Sequence, residues 1–110
     1  MNSPERVSIL ISEAKGGDRK AFDDLVGEFA DRLKSHCEHE TGSVLKKRFE
    51  TDDLVQETLL RAYRAFPQFR GAEGGAFWSW LRRIAEHVVL DYARKLRSLD
   101  GPEKPPMSLN

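Results

Sequence analysis

The chain is 110 residues long, 39% hydrophobic and 33% charged, which is the size and balance of a single water-facing globular domain. No apolar run approaches the roughly 20 residues that a bilayer-spanning helix needs, and residues 1–17 lack the basic start and long apolar stretch of a secretory leader, so no membrane insertion is expected. Cys37 is alone, which excludes an internal disulfide and fits a reducing, cytoplasmic compartment.

The formal charge of zero conceals an asymmetry. Residues 1–60 carry nine Lys and Arg against thirteen Asp and Glu, and residues 61–110 carry nine against five. An acidic half and a basic half point to two unlike partners, with nucleic acid the candidate for the basic one.

Every periodic segment reads as helix, which predicts an all-α domain of about four helices. Ser3-Pro4 supplies an N-cap and a proline at the first helical position, and Val7, Leu10, Ile11 and Ala14 then form one apolar stripe. Gly16-Gly17 stops that helix. Asp18 is placed to cap a second one, with Phe22, Leu25, Val26, Phe29 and Leu33 inward, running to about Glu40 before a break at Thr41-Gly42. The segment from Val44 to Phe49 is ambiguous by period.

Thr51 can cap a third helix, Asp52 to Phe66, ended by Pro67, with Val55, Leu59, Ala62, Tyr63 and Phe66 as its buried stripe. Asp52 and Asp53 fall in its first turn, where negative charge suits the helix dipole. A glycine-rich loop covers Phe69 to Gly75. The last helix is predicted from about Ala76 to Arg97, with Phe77, Leu81, Ile84, Val88 and Tyr92 inward. From Leu99 onward three prolines and a glycine in twelve residues predict a flexible linker, so the helical domain is expected over 1–98.

Two faces stand out. On the third helix, Asp53, Gln56, Glu57, Leu60 and Arg64 share the side away from the predicted core. An acidic and amide-bearing surface with one apolar anchor suits docking on a basic or mixed helix, although a solvated helix face reads the same way. On the last helix, Arg83, His87, Leu90, Arg94 and Arg97 form a stripe flanked by Arg82 and Lys95. Such a stripe can track a phosphate backbone, or can serve solubility alone. Phe77, Trp78 and Trp80 cannot all face inward, because successive helical positions diverge by about 100°. At least one should therefore be partly exposed beside the basic stripe, as stacking on unpaired bases requires. Arg70 opens the glycine loop just before them, which could form a pocket for an extruded base.

His36, Cys37, His39 and Glu40 invite a metal reading. His36 shares a helix face with His39 and Glu40, but Cys37 lies off it and no second ligand cluster follows, so no metal or other cofactor is expected. No phosphate-binding loop, nucleophile elbow or zinc-protease motif is present, and the chain is not expected to be an enzyme.

Asp52-Asp53-Leu54-Val55-Gln56-Glu57-Thr58, Arg61-Ala62-Tyr63-Arg64-Ala65-Phe66, Phe69-Arg70-Gly71, Phe77-x-x-Trp80-Leu81-Arg82-Arg83-Ile84-Ala85 and Leu90-Asp91-Tyr92-Ala93-Arg94 follow one another in order. Together they resemble region 2 of a bacterial sigma factor of the extracytoplasmic-function (ECF) group. Gly17-Asp18-x-x-Ala21-Phe22 is similar to the start of that group's second helix. The resemblance implies a helical domain that binds the clamp-helix coiled coil of the largest subunit of core RNA polymerase, through Asp53, Gln56, Glu57, Leu60 and Arg64. It implies recognition and melting of the promoter −10 element through DNA-binding residues Arg70, Gly71, Phe77, Trp80, Arg83, His87, Leu90, Arg94 and Arg97. It further implies an anti-sigma partner and a linker leading to a C-terminal helix-turn-helix domain that this chain lacks. His87 stands where the group commonly has Asn, and Trp78 where it commonly has a polar or basic residue. A helical interaction module that acts as an anti-sigma decoy without binding DNA is the alternative.

Overall fold

The computed structural model describes the backbone of residues 4–48 and 51–100, with side chains for all of these except residues 41–48, 96 and 98–100. Four α-helices follow one another: α1 (Pro4–Lys15), α2 (Arg19–Arg48), α3 (Thr51–Ala65) and α4 (Gly74–Asp100). A single 3-10 turn, Phe66–Gln68, joins α3 to the loop before α4, and there is no strand among the described residues. The all-α class and the helix number are as the sequence predicts. α1 packs on α2, α2 packs on both α3 and α4, and α3 packs on α4.

α1 buries Val7, Leu10, Ile11 and Ala14, the stripe its period predicts. Ser3, its predicted cap, lies outside the described residues. The helix ends in a Schellman closure. Gly17 adopts φ of 101°, its N–H donates to the Ala14 carbonyl at 3.0 Å, and the Asp18 N–H donates to the Glu13 carbonyl at 3.1 Å. A side chain at Gly17 would be strained in that conformation. Asp18 then starts α2 as predicted, its carboxylate accepting the Ala21 N–H at 3.1 Å.

α2 turns Phe22, Leu25, Phe29 and Leu33 inward, with Ala21 and Cys37 beside them, and Val26 packs at the edge. Burial, with Glu40 nearby, pushes the Cys37 thiol up to about 11. The predicted break at Thr41-Gly42 does not occur, and the helix continues to Arg48. A helical glycine costs about 1 kcal/mol relative to alanine, far less than a proline, and Lys46-Lys47-Arg48 beyond it are good helix formers.

The core face of α3 is rotated from its predicted position. Leu54, Thr58 and Ala62 are buried, Val55 and Leu59 are only partly covered, and Tyr63 is 44% exposed. Small residues at 58 and 62 let α3 lie against both α2 and α4. Thr58 tolerates this because its hydroxyl donates to the Leu54 carbonyl at 2.7 Å, within its own helix. The helix closes at Ala65, and Pro67 sits within the 3-10 turn.

α4 begins at Gly74, earlier than predicted, and extends through Asp100, past the predicted end at Arg97. Phe77, Leu81, Ala85 and Val88 are fully buried, while Ile84 and Tyr92 are partly buried. Of the predicted linker, residues 101–110 lie outside the described residues. No described helix is long and apolar enough to cross a membrane.

Candidate protein- and nucleic-acid-binding faces

Because α3 is packed through Leu54, Thr58 and Ala62, its opposite side is presented outward. Asp53, Gln56, Leu60 and Arg64 are exposed, and Glu57 is half-buried. Leu60 is 47% exposed, a large apolar side chain among polar neighbours. Arg19, from the first turn of α2, lies over the Tyr63 ring with its guanidinium carbon 4.1 Å from the centroid, and it donates to the Tyr63 hydroxyl at 3.0 Å. Shallow clefts flank Tyr63. One, of about 350 Å³, is walled by Phe22, Phe66 and Pro67, and the other, of about 250 Å³, by Gln56, Leu59 and Leu60. The α3 face is therefore a ridge with apolar hollows rather than a flat polar surface.

An ion-pair chain runs from this face to α4. Glu57 Oε2 accepts from Arg61 Nε at 3.0 Å, Arg61 Nη1 donates to Asp91 Oδ2 at 2.8 Å, and Asp91 Oδ1 accepts from Arg94 Nη1 at 3.2 Å. The bonds to Glu57 and then to Asp91 raise the Arg61 pKa above its ordinary value. Burial raises that of the neighbouring Tyr92 hydroxyl, helped by the charges of Glu57 and Asp53. Surface pairs of this kind contribute about 0–1 kcal/mol each, so the chain aligns α3 with α4 more than it stabilises the fold.

On α4, Arg83, His87, Leu90, Arg94 and Arg97 are all exposed on the side away from the buried stripe. Arg82 is paired instead with Glu86 at 3.1 Å, and Lys95 lies 5.8 Å from the Tyr92 ring centre.

The aromatics at the start of α4 divide between two sides. Phe77 is 0% exposed, so the expectation that it meets a base directly is corrected: it sits at a core position and supports the layer above it. Trp80 is partly buried over three rings, with centroids at 5.1 Å to Phe69, 5.6 Å to Phe77 and 6.0 Å to Phe66. Trp78 turns the other way, onto α2. It stacks on Phe29 at 6.3 Å, carries Arg32 at 4.5 Å above its ring and meets the edge of His36 at 6.0 Å. That packing role accounts for a tryptophan at this position. His36 is thereby aimed at Trp78 and Glu86, Cys37 at the core, and His39 at solvent, so these three do not converge. Among the described residues no three His, Cys, Asp or Glu side chains gather into a metal cluster.

The loop between the 3-10 turn and α4 depends on Gly71. A Cβ there would lie 2.6 Å from the Ala76 Cβ and 2.6 Å from the Phe69 Cζ. Neither can swing aside, because one belongs to the α4 backbone scaffold and the other to a buried ring. Gly71→Ala is therefore expected to destabilise the fold by about 1–3 kcal/mol, read as a lowered midpoint in urea unfolding. Arg70, beside it, is exposed.

Nothing local in the sequence marks Arg19 or Tyr63 as part of these faces: helical period places Tyr63 in the core, and Arg19 is simply a basic residue near a helix boundary.

The fold is thus a four-helix domain with an outward acidic-amide face on the third helix and an aromatic-to-basic face on the fourth. Residues 25–99 match the family model described as Sigma-70 region 2, and the chain belongs to that family. It is 33% identical over 87 residues to the ECF RNA polymerase sigma-E factors of Salmonella typhimurium and of Escherichia coli, an alignment covering 76% of this chain and 40% of each relative. It is 31% identical over 90 residues to the ECF RNA polymerase sigma factor SigD of Mycobacterium bovis, covering 82% of this chain and 42% of that protein. The chain thus spans about two fifths of the length of these relatives.

Proposed function

We propose that this domain binds core RNA polymerase through α3 and recognises and melts the promoter −10 element through the start and outer face of α4. The observation that carries the reading is the placement of both faces on adjoining helices of a chain that matches Sigma-70 region 2 over residues 25–99. In this reading Asp53, Gln56, Glu57, Leu60 and Arg64 meet the clamp-helix coiled coil of the largest subunit. Arg83, His87, Leu90, Arg94 and Arg97 lie along the duplex, and Trp80, with Arg70 and Gly71, receives an unpaired base.

The domain acts by binding rather than catalysis. A stacked base contributes roughly 1–3 kcal/mol, which offsets the few kcal/mol needed to unpair and unstack it. In this reading the compartment is the cytoplasm, an anti-sigma protein is a further partner, and the residues after α4 lead toward a separate DNA-binding domain.

The test is binding of the chain to labelled single-stranded oligonucleotides of the non-template −10 strand with each base varied in turn. Preference for particular bases at one or two positions supports the reading. Polymerase binding without any oligonucleotide binding supports the interaction-module alternative.

A further inference from the structure

α1 lies wholly outside the residues that match the family model, yet it holds both ends of the loop between α3 and α4. At the entry end, Lys15 Nζ donates to the Phe69 carbonyl at 2.6 Å and the Pro67 carbonyl at 3.2 Å, with the Phe66 carbonyl at 3.5 Å. The same ammonium sits 5.4 Å from the Phe66 ring centre. At the exit end, Val7 packs under Gly74, where a Cβ would come within 3.2 Å of its Cγ1.

The chemistry at the entry end is specific. The Phe66 carbonyl already accepts the Phe69 N–H at 2.9 Å, so the Pro67 and Phe69 carbonyls are the ones for which the Lys15 ammonium is the donor nearest to hand. An ammonium has three donors and no acceptor, so it can serve several of these carbonyls at once, and its charge suits the negative end of the helix dipole. The carbonyl it holds most closely is that of Phe69, whose ring lies 5.1 Å from Trp80. Lys15 therefore fixes the backbone of a residue that supports Trp80, and of the segment leading into Arg70 and Gly71.

We propose that Lys15 is a positioning residue for base capture: from α1 it pre-organises the loop at 69–73 so that the unpaired base meets an already formed site. The inference rests on the proposed function, since it assigns a purpose to that loop. A loop ordered before binding spares the ordering cost at the moment of binding, and its loss appears as lost affinity for the ligand that needs the loop.

The experiment compares the parent chain with Lys15→Met, which keeps the length and apolar stem but has no donor, and Lys15→Arg, which keeps charge and donors. Fluorescence anisotropy is read with a single-stranded −10 oligonucleotide, a duplex, and core RNA polymerase, across a salt series. For Lys15→Met, single-strand affinity is expected to fall roughly tenfold, the equivalent of about one well-ordered contact, with duplex and polymerase binding within twofold. Lys15→Arg should recover most of the loss. The slope of log affinity against log salt should stay unchanged, whereas a lysine that touched phosphate would lower it by about one.

Single-strand affinity within twofold of the parent, or a changed salt slope, overturns the proposal. Should Lys15→Met lose its helical circular dichroism, Lys15→Gln is read by the same criteria. A parent chain that binds no single strand at all defeats the functional reading itself, an outcome distinct from parent binding that is indifferent to residue 15.

Discussion

Reversing charge at both Asp53 and Glu57 to Arg is expected to weaken binding to core RNA polymerase by roughly 100-fold or more while leaving the domain folded. Both residues are on the outer side of α3, in line with exposed Leu60. On the binding side, the change removes two negative charges and adds two cations to a face that already carries Arg61 and Arg64, and like charges facing each other across an interface cost several kcal/mol. On the folding side the losses are small. Asp53 contributes a first-turn dipole effect of about 0.3–1 kcal/mol, and the Glu57–Arg61 pair about 0.3–0.5 kcal/mol. A loss near 1 kcal/mol lowers Tm by about 4–8 °C in a domain of this size and leaves the native state populated. Glu57 also belongs to the chain through Arg61 and Asp91 to Arg94, so its reversal disturbs α4 as well. Asp53→Arg alone lies outside that chain, and it should by itself cost roughly tenfold if the contact is a central one. Titration of core polymerase with labelled protein, beside circular dichroism melts, checks both parts. Unchanged affinity in the double variant would remove the docking face from α3.

The apolar stripes of α1 and α2 and the punctuation between them are legible in the sequence. Gly17 in a left-handed conformation and Asp18 as a cap are local events, as is the change from α-helix to 3-10 turn just ahead of Pro67, and each follows from the residues that make it. The register of α3 was not local. Val55, Leu59 and Tyr63 are more hydrophobic by composition than Leu54, Thr58 and Ala62, but a helix wedged between two others is limited by volume, and the smaller set fits. Thr58 could join it only because Leu54 takes its hydroxyl bond. The α2 extension past Thr41-Gly42 shows the converse, since a glycine is a weak stop when nothing beyond it forces a turn.

For the binding faces, helical period sufficed to place Arg83, His87, Leu90, Arg94 and Arg97 outward, because packing and period agreed on α4. Period could not pair residues across the fold. Arg61 with Asp91, Arg19 with Tyr63 and Lys15 with Phe69 are 30, 44 and 54 positions apart, and each pairing depends on how helices cross rather than on any local pattern. Phe77 was the reverse case. Its place in the family-like motif marked it as a contact residue, while its period marked it as core, and packing followed the period.

In the proposed function stacking depends on Trp80, and the variant chosen decides whether a test can read it. Three rings lie against Trp80 within 6.0 Å, so Trp80→Ala would cost about 3–5 kcal/mol of packing, against the roughly 5–15 kcal/mol that holds a domain together. Lost DNA binding in such a variant would then report partial unfolding. Trp80→Leu keeps an apolar filler over Phe66, Phe69 and Phe77 but has no flat π surface. Its affinity for a single-stranded −10 oligonucleotide is expected to fall roughly tenfold, within the range for one stacked base, while duplex affinity stays within twofold. Phe77→Leu supplies the comparison, because Phe77 is wholly buried and touches the same rings. It should lower Tm at least as much as Trp80→Leu yet leave the ratio of single-strand to duplex affinity where it was. If instead the two variants shift that ratio equally, Trp80 is a packing residue like its neighbour, and the unpaired base is held elsewhere on α4.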